Sequence, residues 1–500
     1  MAVPAVRIRT IHDRPPRPDA RYVLYWMIAA RRTSWNFALD RAVQWARDLK
    51  QPLVVLEALE CDYPWASDRL HRFVIDGMRD NAASFARSGV TYYPYVEPEP
   101  GAGCGLLATL ASDASVVVTD DSPVFFLSSI VLAASRHIET RFEAVDGCGI
   151  LPINAPARGQ VFPSAYAFRR YLQRELPRHL DVQPHRSPVR SGSLPALEAI
   201  GPEIQERWPP ADLALLSGAS DLGTLPIDHT VCPVAIGGGS TAARARLDDF
   251  LATRLHRYGE RRNHPDEDVS SRLSPYLHFG HISAHEIVHG VLAGMNWTPE
   301  ALSTAARGTR EGWWGVTAPV EAFLDQVITW RELGFNMSAR RRDVASFDAL
   351  PSWAIVTLEK HAQDHRAQVY TLDEFAVAAT HDEVWNAAQR QLTRDGRIHN
   401  YLRMLWGKKI LEWTSSPRQA LDVMIALNDR YAVDGRDPNS YSGIMWVLGR
   451  YDRPWAPERP IFGTIRYMRS ANTTRKLRLK AYLRQYATVG QTSVDGSDRT

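Results

Sequence analysis

The chain has 500 residues, 45% apolar and 23% charged, which is the usage of a folded globular protein and excludes wholesale disorder. A single core rarely grows so large, so the length predicts two or three domains. Net charge is only +3, and no apolar run approaches the roughly 18 residues of a membrane span. The opening residues carry Arg and Pro without an apolar signal core, so the expected location is the cytoplasm, with no membrane partner. Cys61, Cys104, Cys148 and Cys232 show no C-x-x-C spacing, which writes neither a zinc ribbon nor an iron–sulfur cluster.

Residues 1–20 read as a tail. From Tyr22 short apolar runs alternate with helix-length amphipathic stretches: YVLYWMI, NFALDRAVQWARDL, PLVVLEAL, DGMRDNAASFARSG, VTYYPYV, GLLATLA and SVVVTDD. This alternation predicts βαβ units on a parallel sheet over 21–155. A linker follows over 156–239, where residues 181–240 hold eight Pro and seven Gly without sustained periodicity. Its GGGS at 237–240 lacks both a preceding strand and a G-K-[ST] continuation, so Ser240 reads as a helix N-cap rather than part of a phosphate loop. From 240 to 485 the pattern is helical, with ten of the fifteen tryptophans after residue 290, and 486–500 reads as a second tail. Residues 451–490 carry nine Lys/Arg against Asp452 and Glu458, a basic surface suited to a polyanion.

Two motifs need weighing. His285-Glu286-Ile287-Val288-His289 matches H-E-x-x-H, which sets two histidines on one helix face as zinc ligands. No extended signature follows, and His278 and His281 give no clear third ligand. In SSRLSPYLHFGHIS, Ser270, Ser271 and Ser274 precede an aromatic helix start, where hydroxyls and free amides can hold a phosphate.

That second string resembles the flavin-phosphate segment of the photolyase and cryptochrome family. YVLYWM at 22–27, THDEVWNAAQ at 380–389, GRIHNYLRMLWGKKILEWT at 396–414, LNDRYAVDGRDPNSYSGIMW at 427–446 and ERPIFGTIRYM at 458–468 look like class II cyclobutane pyrimidine dimer photolyases. The likeness runs from about 20 to 470. It implies a Rossmann-like parallel-sheet domain joined by the long linker to a C-terminal helical domain that binds FAD and DNA. It also leaves room for an antenna chromophore of deazaflavin or folate type in the N-terminal domain.

Carried over by resemblance, Tyr258, Ser271, Leu273 and Ser274 would hold the phosphate and adenine side of FAD. Arg403 and Asp434 would pair against the flavin ring, with Asn428 near its N5. A paired charge tolerates burial that a lone one would not, and an amide can donate or accept as the ring changes state. Trp406, Trp385 and Trp413 match an electron relay, with Trp413 towards the surface. Independently of the family, Trp406 and Trp413 lie seven residues apart, on one side of a helix and about 10 Å apart in height. Trp330, Trp446 and Met404 would line the pocket of a flipped-out pyrimidine dimer, since aromatic faces stack on bases. Arg453 and Trp455 would enter the vacated duplex, and Arg466, Arg469, Arg475 and Lys476 could hold phosphates.

The chain departs from the pattern at several places. Gln326, beside Asp325, stands where the class usually has a glutamate that hydrogen-bonds the dimer, and an amide supplies neither a carboxylic proton nor a negative charge. His399-Asn400 and Asn439-Ser440-Tyr441 replace H-G and N-G-Y, and ARRRDVASFD at 339–348 is a more basic loop than usual. The expected function is light-driven repair of cyclobutane pyrimidine dimers in UV-damaged DNA by a monomer needing no protein partner. A cryptochrome-like photoreceptor or a (6-4) photolyase are the near alternatives, and a zinc hydrolase on HEIVH is the distant one.

Overall fold

The computed structural model of the chain describes residues 2–189, 192 and 194–487; the expected tail at 486–500 lies, from 488 onward, outside them. Contacts divide the chain into two compact units, Met1–Thr253 with Ser271–Arg342, and Arg254–Ser270 with Asp343–Thr500.

The first unit is built on a six-stranded sheet of order β1-β6-β5-β2-β3-β4, with β1 Ile8–His12, β2 Tyr22–Trp26, β3 Leu53–Leu59, β4 Thr91–Val96, β5 Ala114–Asp120 and β6 Arg141–Val145. Strands β2 to β6 pair in parallel. Along β2, Tyr22, Leu24 and Trp26 enter one apolar cluster and Val23 and Tyr25 the other. This is the period-two alternation of a strand covered on both faces, and it explains the unbroken apolar text. The first crossover helix, Phe37–Leu49, starts where the Asn36 side chain accepts from the amides of Ala38 and Leu39, an N-cap that satisfies two otherwise orphaned donors.

Two strands escaped the sequence pattern. Ile8–His12, inside the expected tail, pairs antiparallel with Arg141–Val145 as the sheet edge. An edge strand half open to solvent needs no apolar run, so IRTIH read as polar.

The expected linker is also more structured than its composition suggested. It contains the helix Ala165–Glu175 and two shorter ones, Pro202–Arg207 and Leu213–Ser217, and Ile200, Ile204 and Trp208 pack into the cluster that holds Leu24. In the GGGS loop the amide of Gly238 donates to Asp76 at 3.0 Å, that of Gly239 to His281 Nδ1 at 2.9 Å and that of Thr241 to Asp80 at 2.8 Å. Ser240 is therefore no N-cap. It lies inside the helix Gly239–Thr253, its hydroxyl donates to the His281 carbonyl, and carboxylates from Asp68–Phe85 take the amides of Gly238 and Thr241.

The segment 271–342, expected within the helical domain, packs in the sheet-bearing unit. A Cβ on Gly280, whose φ is +71°, would lie 1.7 Å from the Ala29 carbonyl oxygen, and Arg32 donates to the Gly280 carbonyl at 2.9 Å. Only glycine permits that approach.

The second unit is helical. Its core gathers residues of Glu383–Asp395, Asn400–Trp413, Pro417–Tyr431 and Pro438–Val447 with parts of 347–375 and 461–486. Asp382 caps the first of these helices by accepting from the Trp385 amide, and Gly396, φ +67°, ends it, the usual asymmetry of start and stop signals. No helix among the described residues is long and apolar enough to cross a membrane.

Candidate functional site

Three indoles meet in the core of the second unit. Trp385 stacks on Trp406 with ring centres 6.4 Å apart and planes within 3°, and meets Trp413 edge-on at 6.0 Å. Two of them are tied by more than packing: the Trp385 Nε1–H donates to the Trp406 carbonyl at 3.0 Å, and the Trp406 Nε1–H to Gln389 Oε1 at 2.9 Å. Gln389 follows Trp385 by one helical turn and is wholly buried; that spacing could have revealed it. Trp413, expected towards the surface, is itself only 3% exposed. Tyr370 at 5.7 Å and the exposed His381 at 4.9 Å are its outward ring neighbours.

On the same helix as Trp406, Arg403 opens a polar set. Its guanidinium lies 3.8 Å from Asp434 Oδ1, beyond hydrogen-bonding distance, and donates to the Ser440 hydroxyl at 3.3 Å. Ser440 donates onward to Asn428 Oδ1 at 3.2 Å. Asn428 gives both amide hydrogens away, to Asp429 at 2.9 Å and the Gly435 carbonyl at 2.7 Å. Asp429 also accepts from the Tyr441 hydroxyl at 2.8 Å, and burial pushes its carboxyl up to about 6. Asp434 Oδ1 is buried and accepts no hydrogen bond. A buried carboxylate oxygen without a donor is costly, and with Arg403 still partly exposed it marks a place where a polar ring edge would find both a charge and an acceptor.

A guanidinium between two indoles forms the third feature. Arg466 lies 4.1 Å over Trp455 and 6.0 Å over Trp446, and Arg453 lies 5.0 Å over Trp455. Asp452 ties the group, pairing with Arg466 at 3.2 Å and accepting from the Trp455 indole at 3.1 Å. Met404 packs partly buried against the core. Lys408, missed from sequence, is 3% exposed and donates to the Val447 carbonyl beside Trp446. Burial pushes its ammonium down to about 7 against the opposing pull of Asp452. Tyr258 lies in this unit beneath Arg262, Lys476 lies over Tyr401 and Arg469 over Tyr467.

Gln326 and Trp330 belong to the first unit, in a π-helical turn Asp325–Trp330 between two α-helical stretches; such turns are rare and concentrate at functional positions. The turn is gripped at both ends. Asp325 forms a two-pronged pair with Arg169 at 2.9 and 3.1 Å. After it, Arg331 donates to the Cys148 carbonyl, and Glu332 accepts from the amides of Ile150 at 2.7 Å and Leu151 at 3.1 Å. Burial pushes the Glu332 carboxyl up to about 7. Ser271, Leu273 and Ser274 also lie in this unit, Leu273 buried and Ser274 exposed. The Ser270 hydroxyl, in the second unit, is spent on Asp268 at 2.5 Å.

Along HEIVH, His285 sits edge-on to Phe37, Glu286 pairs with Arg244 at 2.6 Å, and His289 meets Arg186 and Trp35. Among the described residues no cluster of three or more His, Cys, Asp or Glu could hold a metal.

Beyond the carboxyl ends of β2, β5 and β6, where strand order reverses and α/β proteins commonly bind ligands, lies a cavity of about 30 Å³ lined by Asp120, Ser122, Cys148, His278 and Arg331 among others. The Gly280 segment forms one wall of this crevice.

Comparison with known proteins gives one consistent result. The chain is 34% identical to the deoxyribodipyrimidine photo-lyase of Methanothermobacter thermautotrophicus over 479 residues, covering 96% of this chain and 97% of the relative. It is 32% identical to the enzyme of that name from Oryza sativa subsp. japonica, covering 95% and 89%, and 30% identical to that of Potorous tridactylus, covering 96% and 84%. No family model matches. The fold is like that of a solved bacterial class III photolyase from Agrobacterium tumefaciens, with TM-score 0.66, 18% identity, and coverage of 93% of this chain and 86% of that one.

Proposed function

We propose, from the premise that the chain belongs to the deoxyribodipyrimidine photo-lyase family, that it is a light-driven DNA-repair flavoenzyme of class II type acting on cyclobutane pyrimidine dimers. The observation that carries this reading is the convergence of the stacked Trp385–Trp406 pair and the Arg403–Asp434–Asn428 set on neighbouring helices. The long strings at 380–389, 396–414 and 427–446 support the class.

The polar set fits FAD. Asp434 offers an unsatisfied buried oxygen, Arg403 a partly exposed guanidinium, and Asn428, its donors spent, an amide oxygen that can only accept. When bound in its reduced form, FAD supplies under light the electron that opens the cyclobutane ring and is afterwards recovered. The protein's own part is to position and exclude. Trp385, in contact with both other indoles, completes an electron path through the core. Trp446, Trp455, Arg466 and Met404 present faces on which a flipped lesion and the duplex it left can stack, and damaged bases cost least to extrude. The Lys/Arg-rich stretch from 453 holds DNA phosphates in a salt-sensitive way. Tyr258, Ser271, Leu273 and Ser274 hold the adenine and phosphate side. The partner is UV-damaged DNA, bound by a monomer in the cytoplasm.

Gln326 favours a second reading, a cryptochrome-like photoreceptor or a (6-4) photolyase, because it removes a carboxyl from the expected dimer contact. Illuminating the reduced, FAD-loaded protein with DNA carrying either lesion and scoring restored bases separates them. Restored cyclobutane dimers support the first reading, restored (6-4) products the variant, and repair of neither sinks the enzyme.

A further inference from the structure

The stretch from Asp452 to Arg466, which carries Trp455 and Arg453, is closed on itself. The Trp455 amide donates to the Thr464 carbonyl at 2.8 Å, and Arg459 and Gly463 exchange backbone bonds at 2.9 and 2.7 Å. Its outer part is exposed from Arg453 to Pro460, apart from half-buried Trp455; Asp452 and Arg466 hold the Trp455 ring, and Ile461 and Phe462 anchor the return arm in the core. Three pins to the segment 357–364 hold the rest. The Thr464 amide donates to the Thr357 hydroxyl at 2.9 Å and the Ile461 amide to Asp364 at 2.8 Å. The third pin is Glu458, which accepts from Lys360 at 3.0 Å and meets His361 Nε2 at 2.9 Å. At the other side of its ring, His361 Nδ1 meets Asp364 at 2.6 Å.

We propose that His361 is a positioning residue for this loop: as an imidazolium clamped between Asp364 and Glu458, it holds Trp455 and Arg453 ready for duplex DNA and releases them on losing its proton. The inference rests on the DNA-repair reading above. Its ground is the donor count. Both ring nitrogens face carboxylate oxygens, which when ionised only accept, so each nitrogen must carry a hydrogen. A neutral ring would turn a lone pair on one carboxylate and lose either the bond to the loop's Glu458 or the bond to Asp364, which itself holds the Ile461 amide.

The surroundings agree. The groups facing the ring are Asp364, Glu458, Lys360 beyond Glu458, and Arg366, whose charge acts on Asp364. Hydrogen bonding to Asp364, then Glu458, raises the His361 value, while Asp364 and Glu458 are both held below theirs. Because the folded value is raised, the clamp is whole below the ordinary histidine range and is lost as pH rises through the raised value.

The test uses the full-length, FAD-loaded protein and measures anisotropy on a duplex with one cyclobutane thymine dimer and on its undamaged twin, between about pH 6 and 9 at constant ionic strength. Wild-type affinity for the damaged duplex should fall by about fivefold across the transition, the scale of a partly exposed charged contact. His361→Gln should be flat and sit at the wild-type high-pH value. Glu458→Gln, which keeps the His361–Asp364 pair, should move the transition to lower pH and provides the readout if the first variant does not fold. Superimposable profiles for wild type and the folded variants overturn the clamp. Equal wild-type affinity for both duplexes at every pH instead overturns the repair reading on which it rests.

Discussion

Lys408 offers a quantitative check on the helix that carries Arg403, Met404 and Trp406. Its ammonium is buried, donates to the Val447 carbonyl, and is pushed down to about 7 by burial from an ordinary 10.5. Unfolded chains therefore bind more protons than folded ones throughout that interval, and stability must rise with pH across it. Each pH unit contributes about 1.4 kcal/mol where the difference is complete, so about 3 kcal/mol should accrue between about pH 7.5 and 10, allowing for partial titration at both ends. Lys408→Met keeps the length and apolar stem of the side chain and removes the charge. Urea denaturation at a series of pH values, with FAD held constant, should show the wild-type curve climbing relative to the variant by that amount. The variant should also lose about 1 kcal/mol at the alkaline end, where the neutral amine still donates to Val447. Parallel curves would refute the burial argument. They would mean that the ammonium reaches water and does not close off the end of Pro438–Val447.

Trp406→Phe should slow photoreduction of oxidised flavin while chemically reduced protein still repairs DNA; unchanged photoreduction, followed by absorbance under blue light, would count against the relay. Ser440→Ala breaks the link from Arg403 to Asn428 and should cost about 1 kcal/mol of FAD-bound stability, read as a lower melting temperature, with no loss expected if the link is idle. Gln326→Glu restores a carboxyl on the π-helical turn and should raise dimer repair per absorbed photon without altering photoreduction; a fall would show that the amide is the working group here. Arg169→Met leaves Asp325 without its partner in a nearly buried pair and should destabilise the protein by about 3 kcal/mol in urea titrations, with dimer binding weakened alongside.

Much of the fold was legible because it depends on local pattern. The continuous apolar text of β2, β3 and β5 follows from helices covering both sheet faces, and the N-cap Asp382 and stop Gly396 frame their helix in the sequence itself. What failed to show depends on partners far along the chain. Ile8–His12 is strand only because Arg141–Val145 lies beside it. Ser240 read as a helix N-cap because nothing local shows that its hydroxyl goes to the His281 carbonyl and that Asp76, Asp80 and His281 take the neighbouring amides. The placement of 271–342 depends on contacts distant in the chain, among them Gly280, whose missing Cβ allows contact with Ala29, and Glu332, which takes the amides of Ile150 and Leu151; a sequence does not announce which backbone such residues will meet.

The candidate site divides in the same way. Trp406 and Trp413 could be placed on one helix side by spacing alone, but nothing local says that Trp385, from the preceding helix, slides against both. Ser440 shows the limit most clearly. From sequence it was a departure from the pattern and a source of doubt, because serine replaced glycine. In the fold its hydroxyl spans Arg403 and Asn428, groups 25 residues apart in the chain, and gives them a connection that glycine could not make. Through it, and with both Asn428 hydrogens already donated, the amide oxygen is held as an acceptor. Were a flavin held there as proposed, a ring carrying a hydrogen towards that oxygen would be favoured over one that does not, which is the preference that repair from a reduced cofactor would require.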